Sequence, residues 1–201
     1  MSPFIETLKI RNGDIRNIDY HQSRMTRTIF AHYNSGNIPS LEFEIRDRAN
    51  DLDDDITYKC RVTYGKSIEK IEFEKYNIKR QIAIKAVTAN NLHYSFKYAD
   101  RSIFQKLLEQ NPDYTDVLII KNGCVTDTTY ANIVLLRDGK MFTPSTPLLA
   151  GTMRQSLLDT GLITQELIRR EDLAGFDKFL LINSMMDLDE SPLYDISLIS
   201  V

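Results

Sequence analysis

The chain has 201 residues, enough for one large domain or two small ones with a sizeable core. Its net charge of −3 gives no general attraction to nucleic acid or anionic membranes, and 42% hydrophobic residues are typical of a globular protein. No apolar stretch approaches the roughly 18 residues that a membrane-spanning helix needs. Acids and bases are mixed from the N-terminus, which argues against a secretory signal. We therefore expect a cytoplasmic protein that binds neither nucleic acid nor membrane.

The sequence offers little material for a disulfide or a metal site. Cys60 and Cys124 lie far apart in strand-like segments and lack metal-ligand spacing, so we expect two reduced thiols in the core. The only histidines are His21, His32 and His93, and no HExxH, Ser-His-Asp, Walker or GxGxxG pattern is present. We predict no metal site.

The first 78 residues are predicted to form a small α+β domain. An Asn-Gly pair inside an alternating segment favours a tight hairpin near the start of the chain. The elements predicted here are a hairpin at residues 4–18, a helix at 20–34 with Asp19 as N-cap, a helix at 41–51 after Pro39 and Ser40, and strands at 56–65 and 68–76 joined at Lys66-Ser67.

Residues 79–201 are predicted to form a larger C-terminal domain. No Pro/Gly-rich linker marks the boundary near residue 79, so we expect the two domains to pack closely. The elements predicted here are a strand at 79–87, an irregular segment at 90–97, a helix at 99–111, three strands with two turns over 115–144, a helix from Gly151 to a C-cap at Gly161, and strands at 162–170 and 178–184.

Polar residues interrupt the strand-like segment "VTDTTYANIVLL" at residues 125–136. Asp127 and Asn132 fall where core-facing residues are expected, which indicates either a turn at the surface or a buried site. A second feature is Gly151, directly ahead of an apolar helix whose first amides, Thr152 and Met153, could bind an anion. Taken alone, this glycine more often merely shapes a loop.

Two cationic residues lie in positions suited to ligand binding or catalysis. Arg24 stands three residues after His21 on a predicted helix face and could bind a phosphate group bidentately. Lys97 lies between Phe96 and Tyr98, a setting in which a lysine can act as nucleophile or base. In isolation each residue is more simply explained as a solvated surface side chain.

In chain order these segments resemble the class IV, or fold type IV, pyridoxal-phosphate-dependent aminotransferase family. The matching segments are "FIETLKIRNGDI…HQSR", "FKYADR", "VTDTTYANIVLL", "FTPSTPLLAGTMRQ" and "LLINSMMD". The resemblance implies an α+β, D-amino acid aminotransferase-like fold with a small N-terminal α/β domain and a larger C-terminal β-rich domain that carries the Schiff-base lysine and the phosphate site. It also implies pyridoxal 5'-phosphate as cofactor and a homodimer.

The resemblance implies a role for each matching residue. Lys97 would form the Schiff base and move the substrate proton, and Asp127, where the family usually has glutamate, would pair with the protonated pyridine nitrogen. Asn132 would orient that carboxylate. The phosphate group would be bound by the following residues: Arg24, the backbone amides of Thr152 and Met153, and Ser184 next to Asn183.

Three departures from the family pattern concern the substrate pocket more than the cofactor. Asp127 is shorter than glutamate, so its strand should lie nearer the ring or use a bridging water. "GTM" replaces the usual "GIT" at residues 151–153. The chain also starts almost at the "FIET" strand, where the family usually carries an extra strand and loop.

Among subfamilies, "KYADR", "GTMRQ" and the asparagine of "INS" resemble aminodeoxychorismate lyase. The implied reaction releases pyruvate from 4-amino-4-deoxychorismate and leaves 4-aminobenzoate, a folate precursor. The alternative is an aminotransferase acting on branched-chain or D-amino acids, and a lesser alternative is a catalytically degenerate cofactor-binding or partner subunit. Arg80, His93 and Arg101 are unranked candidates for binding substrate carboxylates.

Overall fold

The computed structural model of the chain describes residues 3–77 and 83–201. They form two compact units, one of residues 3–77 with Phe96–Asp100 and one of residues 83–95 with Arg101–Val201. The predicted boundary near residue 79 lies outside the described residues. Lys97 packs with the N-terminal unit, whereas the sequence assigned it to the C-terminal domain.

The N-terminal unit is a four-stranded antiparallel sheet, in the order β2-β1-β3-β4, with two helices. The predicted hairpin is confirmed, because Asn12 and Gly13 adopt positive φ values of 50° and 68° between β1 and β2. The elements are β1 (Phe4–Arg11), β2 (Asp14–Ile15), α1 (Ile18–Tyr33), α2 (Leu41–Arg46), β3 (Tyr58–Tyr64) and β4 (Ile68–Lys75).

Both helices differ from prediction at one end. Helix α1 begins at Ile18; its N-cap is Asn17, with a φ of 55°, and not Asp19, which lies in the first turn. Helix α2 ends at Arg46 rather than at residue 51, because the following residues are mostly polar and lack an apolar face to bury. Its N-cap Ser40 accepts a hydrogen bond from the Phe43 amide, 3.3 Å.

Strand β1 places alternate side chains in the core of the N-terminal unit. Phe4 and Leu8 are fully buried and pack with apolar residues of α1 such as Met25 and Ile29. Glu6 stands between them on the same face, because side chains in a strand alternate with a period of two, and it is also fully buried. A carboxylate is thus enclosed in an apolar core.

The C-terminal unit contains a nine-stranded mixed sheet within the described residues. Its main path runs in the order β10-β9-β8-β7-β6-β5-β13, and β11 joins it through β8 while β12 pairs with β11. The elements are β5 (Ile84–Thr88), α3 (Ser102–Glu109), β6 (Asp116–Lys121), β7 (Cys124–Thr128), β8 (Asn132–Arg137), β9 (Lys140–Pro144), α4 (Thr152–Asp159), β10 (Thr164–Glu166), β11 (Lys178–Ile182), β12 (Tyr194–Asp195) and β13 (Ile199–Ser200).

The register of three strands aligns the polar segment found in the sequence. Asp127 on β7 pairs with Asn132 on β8, and Asn132 pairs with Ile182 on β11. The predicted end of α4 is confirmed, since Gly161 adopts a φ of 71° just after Thr160. This row of residues and the start of α4 belong to the same unit.

The last part of the C-terminal unit departs most from prediction. The strand expected at residues 162–170 is only three residues long, as β10, and a 3-10 helix runs over Arg170–Gly175.

Both cysteines are free thiols, with Cys60 buried and Cys124 half-buried. No helix of the described residues has the length and apolar character needed to cross a membrane.

Candidate active site

A buried carboxylate organises the polar side chains of the N-terminal unit. Arg24 donates to Glu6 through Nε at 2.9 Å and through Nη2 at 2.5 Å, so the ion pair is bidentate. His21 Nδ1 lies 2.5 Å from Glu6 Oε2. Because His21 and Arg24 are three residues apart on α1, both reach the same carboxylate.

The electrostatics of this cluster favour an ionised glutamate beside a neutral histidine. Burial would raise the pKa of Glu6, but the charge of Arg24 and the hydrogen bonds from His21 and Arg24 lower it to about 2. Burial lowers the pKa of His21 and outweighs the hydrogen bond and negative charge of Glu6, which raise it, while the positive charges of Arg24 and Lys97 lower it further. We infer that neutral His21 donates its Nδ1–H to Glu6.

Lys97 lies beside the start of β1. The amide of Ile5 donates to its carbonyl at 2.9 Å, and Tyr98 forms an antiparallel bridge with Phe4. The ring of Phe96 packs on His32 with centroids 4.5 Å apart, and that of Tyr98 packs on Phe4 at 5.1 Å. The aromatic neighbours therefore anchor the segment, and half-buried Lys97 is close enough for its charge to act on His21.

In the C-terminal unit a second buried carboxylate occupies the polar row of the sheet. Asp127 is 5% exposed. Its Oδ1 accepts from Asn132 Nδ2 at 2.7 Å, and its Oδ2 accepts from the Leu149 amide at 2.9 Å. Asp127 is therefore not the turn-flanking surface residue of the alternative reading.

The environment of Asp127 leaves its charge only partly compensated. Burial raises the pKa of its carboxyl to about 6, against the hydrogen bonds from Leu149 and Asn132 and the positive charge of Arg154. Arg154 is itself 4% exposed, and its Nη2 donates to the Pro144 carbonyl at 2.9 Å. Within the described part of the chain its Nε has no hydrogen-bond partner. A cationic ligand would stabilise the ionised carboxylate of Asp127.

The amino end of α4 lies next to this carboxylate. Gly151 is the N-cap and has no side chain to cap the helix, while Thr152 and Met153 are buried in its first turn. First-turn amides have no partner within a helix and favour anions. Half-buried Ser184 lies in a turn that follows β11, two residues after Ile182. The structure thus brings Asp127 and the first turn of α4 together in one unit.

The remaining polar residues of the segment shape a turn between β7 and β8. Thr129 Oγ1 donates to Asp116 Oδ1 at 2.7 Å, and the Thr128 amide donates to the Ala131 carbonyl at 2.9 Å. Asp116 is buried, and burial raises the pKa of its carboxyl. These contacts explain the polar residues beside Asp127 as parts of the turn between β7 and β8.

The candidate substrate-binding cations differ in their contacts. Arg101 is tied to its own unit, with Nη1 donating to Tyr94 Oη at 3.2 Å and Nη2 donating to the Thr129 carbonyl. His93 is exposed and lines a pocket together with Lys121. Arg80 lies outside the described residues. Of the two described candidates, His93 is the more accessible to a ligand.

Two site residues were missed in the sequence, Glu6 and Arg154. Alternation along β1 places Glu6 with Phe4 and Leu8, and this pattern could have indicated a buried carboxylate. Arg154 stands three residues after Gly151 in "GTMRQ", but nothing local distinguishes it from a surface arginine. Its burial depends on the contact with the end of β9.

The chain belongs to the amino-transferase class IV family, whose family model matches residues 4–188. The family comprises pyridoxal-phosphate-dependent aminotransferases and lyases. The α+β fold of type IV that the resemblance implied is therefore confirmed.

Three relatives illustrate this likeness. A candidate 4-amino-4-deoxychorismate lyase of Haemophilus somnus is 29% identical, with a TM-score of 0.86 over 94% of this chain and 98% of that one. An uncharacterized protein of Haemophilus influenzae is 35% identical over 94% of this chain and 100% of its own length. The pyridoxal-phosphate-bound structure of a hypothetical aminotransferase of Mycobacterium tuberculosis shares the fold, with 16% identity and a TM-score of 0.73 over 96% and 80% of the two chains.

Proposed function

We propose that this protein is a pyridoxal-phosphate-dependent 4-amino-4-deoxychorismate lyase. The observation that carries the cofactor assignment is the position of buried Asp127 beside the first turn of α4. A carboxylate suits a protonated ring nitrogen, and a helix amino end suits a phosphate group. The likeness to the Haemophilus somnus protein over nearly both full chains favours the lyase.

Each residue assigned to the cofactor suits one of its chemical groups. The burial that raises the pKa of Asp127 to about 6 leaves a carboxylate that a cationic ring would keep ionised. The amides of Thr152 and Met153 and the hydroxyl of Ser184 are donors for phosphate, and we assign the guanidinium of Arg24 to the same group. Lys97 Nζ is the amine that would link covalently to the aldehyde.

When bound, the cofactor supplies an electron sink for the carbon that carries the substrate amine. Lys97 Nζ would remove the proton from that carbon and return it to the departing enolpyruvyl group. The bond between the substrate's ring carbon and its ether oxygen would break, giving pyruvate and 4-aminobenzoate without a further reactant. Lys97 must be neutral to accept the proton, which release from its covalent link favours.

Product analysis tests this proposal. Purified protein loaded with pyridoxal phosphate is incubated with 4-amino-4-deoxychorismate in the absence of any keto acid. We expect 4-aminobenzoate and pyruvate in equal amounts. Loaded protein that forms neither product would contradict the lyase assignment.

A second candidate is an aminotransferase, because the matching family model is that of class IV aminotransferases. In that reaction Lys97 Nζ would remove and redeliver the proton of the substrate carbon, and the cofactor would carry the amino group between the two substrates. A panel of L- and D-amino acids distinguishes the two, since a transferase accumulates a pyridoxamine form and needs a keto acid acceptor. Protein that binds no pyridoxal phosphate would favour a degenerate subunit instead.

The assembly and the location belong to this proposal as well. We propose a cytoplasmic homodimer, which the resemblance to the family supports. Light scattering on the purified chain would give twice the monomer mass of 23.2 kDa for a homodimer.

A further inference from the structure

A single amide side chain connects three parts of the C-terminal unit. Asn132 Nδ2 donates to Asp127 Oδ1 at 2.7 Å and to the Leu149 carbonyl at 3.1 Å. The Leu149 amide donates in turn to Asp127 Oδ2 at 2.9 Å. Asn132 therefore holds the carboxylate and the loop that leads into α4.

The third connection is a close approach to Gly151. A Cβ atom on Gly151 would lie 1.9 Å from Asn132 Oδ1 and 3.1 Å from its Cγ. The backbone at Gly151, with φ −68° and ψ 141°, is open to any residue, so the lack of space alone requires glycine. Alanine would force the Asn132 amide to turn away, because a side-chain end yields more readily than backbone.

We propose that Asn132 is a positioning residue that couples the carboxylate of Asp127 to the amino end of α4, and that Gly151 is glycine in order to admit its amide. The assignment of the two coupled groups to a cofactor ring and its phosphate rests on the proposed function. The coupling itself rests only on the contacts of Asn132. Gly151 thus acts through Asn132, in addition to starting the helix.

Four variants of the full chain test this coupling: Asn132→Ala, Gly151→Ala, the double variant, and Asn111→Ala as control. Asn111 also donates its Nδ2 to a backbone carbonyl, that of Leu107 at 2.8 Å, but it lies at the end of α3. The first readout is the pKa of Asp127 in cofactor-free protein, from nuclear magnetic resonance of labelled aspartate carboxyls. The charged group that acts on the pKa of Asp127 is Arg154 of α4, which lowers it.

Asn132→Ala and Gly151→Ala should each raise the pKa of Asp127 by about one to two, since each removes a hydrogen bond to a charged group. The double variant should match Asn132→Ala, because the new Cβ then meets no amide. The second readout is the dissociation constant for pyridoxal phosphate, which should rise about tenfold in each single variant and no further in the double variant. Asn111→Ala should change neither quantity.

An unchanged pKa of Asp127 in Gly151→Ala would overturn the coupling, as would a further loss of affinity in the double variant. Should Asn132→Ala not fold, Asn132→Ser takes its place, alone and combined with Gly151→Ala. Wild-type protein that binds no pyridoxal phosphate would refute the proposed function, yet the aspartate titration would still decide the coupling.

Discussion

Arg24 donates two hydrogen bonds to the carboxylate of Glu6, through Nε and Nη2, inside the core of the N-terminal unit. His21 closes the cluster from the preceding turn of α1. A buried carboxylate left without its partners would be strongly destabilising, so these contacts hold α1 against β1 as well as fixing the guanidinium. The same arginine therefore serves the fold whether or not it also binds phosphate.

Replacing Glu6 by glutamine should destabilise the protein by about 3–5 kcal/mol at pH 7, because Arg24 loses its buried partner. The folded-state pKa of Glu6 is lowered from 4.5 to about 2, so its ionised form stabilises the fold above pH 4.5 and that contribution fades as the pH falls toward 2. Urea unfolding between pH 7 and pH 3 should show the gap between wild type and variant narrowing below about pH 4.5.

The control for this experiment is Glu42→Gln. Glu42 pairs with Arg46 on the exposed face of α2 at 2.9 Å, and such pairs contribute about 0.5 kcal/mol or less. Equal free energies of unfolding for wild type and Glu6→Gln at pH 7 would contradict the assigned role of Glu6.

The sequence predicted those elements that local chemistry determines. The Asn-Gly turn before β2, the strands β3 and β4 and the glycine after α4 follow from turn preferences and alternation. Strands β12 and β13 are two residues long each, too short for any period to be recognised, and they exist because β11 and β5 offer partners. Pairing between distant segments cannot be read from local pattern.

In the candidate site, too, some residues are predictable from local sequence and others only from tertiary packing. The motif order singled out Arg24, Lys97, Asp127 and the start of α4, whose roles toward a cofactor stay predictions, but it gave no sign that Arg24 pairs with Glu6. Recognising that ion pair needs the register of β1 against α1, which depends on tertiary packing. The contact of Gly151 with Asn132 likewise arises from the meeting of β8 with the loop before α4.

Thr129→Val should lower the free energy of unfolding by about 1–3 kcal/mol, because Asp116 Oδ1 loses the hydroxyl donor at 2.7 Å in a buried site. Denaturant unfolding at pH 7 measures the change. The control is Thr160→Val, since Thr160 is exposed at the end of α4 and donates to the Ser156 carbonyl at 3.1 Å. If both variants lose the same small amount, Asp116 does not anchor the turn between β7 and β8.

Lys97→Ala should abolish the covalent link to pyridoxal phosphate and with it the turnover. Borohydride reduction of loaded wild-type protein should leave one cofactor attached to the peptide that carries Lys97, with a mass increase equal to the cofactor less one water plus two hydrogens, and mass spectrometry should find no such adduct in the variant. Lys121→Ala is the control, because Lys121 is half-buried and its Nζ donates to the Leu92 carbonyl at 2.8 Å. An adduct on another lysine, or undiminished turnover without Lys97, would refute the assignment.

Asp127→Asn should retain the shape of the residue while removing the charge that would face the ring nitrogen. We expect turnover to fall about a hundredfold, the scale of losing one electrostatic contact to charge that develops in a reaction. In the cofactor-free protein burial raises the pKa of Asp127 to about 6, so its carboxyl takes up a proton as the pH falls through that value.

Wild-type affinity for pyridoxal phosphate should therefore decrease below about pH 6, because neutral Asp127 no longer attracts a cationic ring. The cofactor phosphate group titrates in the same range. It does so for wild type and Asp127→Asn alike, so the ratio of the two dissociation constants isolates the carboxylate. That ratio should favour wild type most at pH 8 and this preference should shrink about tenfold by pH 5, where most of the ligand-free carboxyl is protonated. A ratio that stays constant with pH would mean that Asp127 does not face the ring nitrogen.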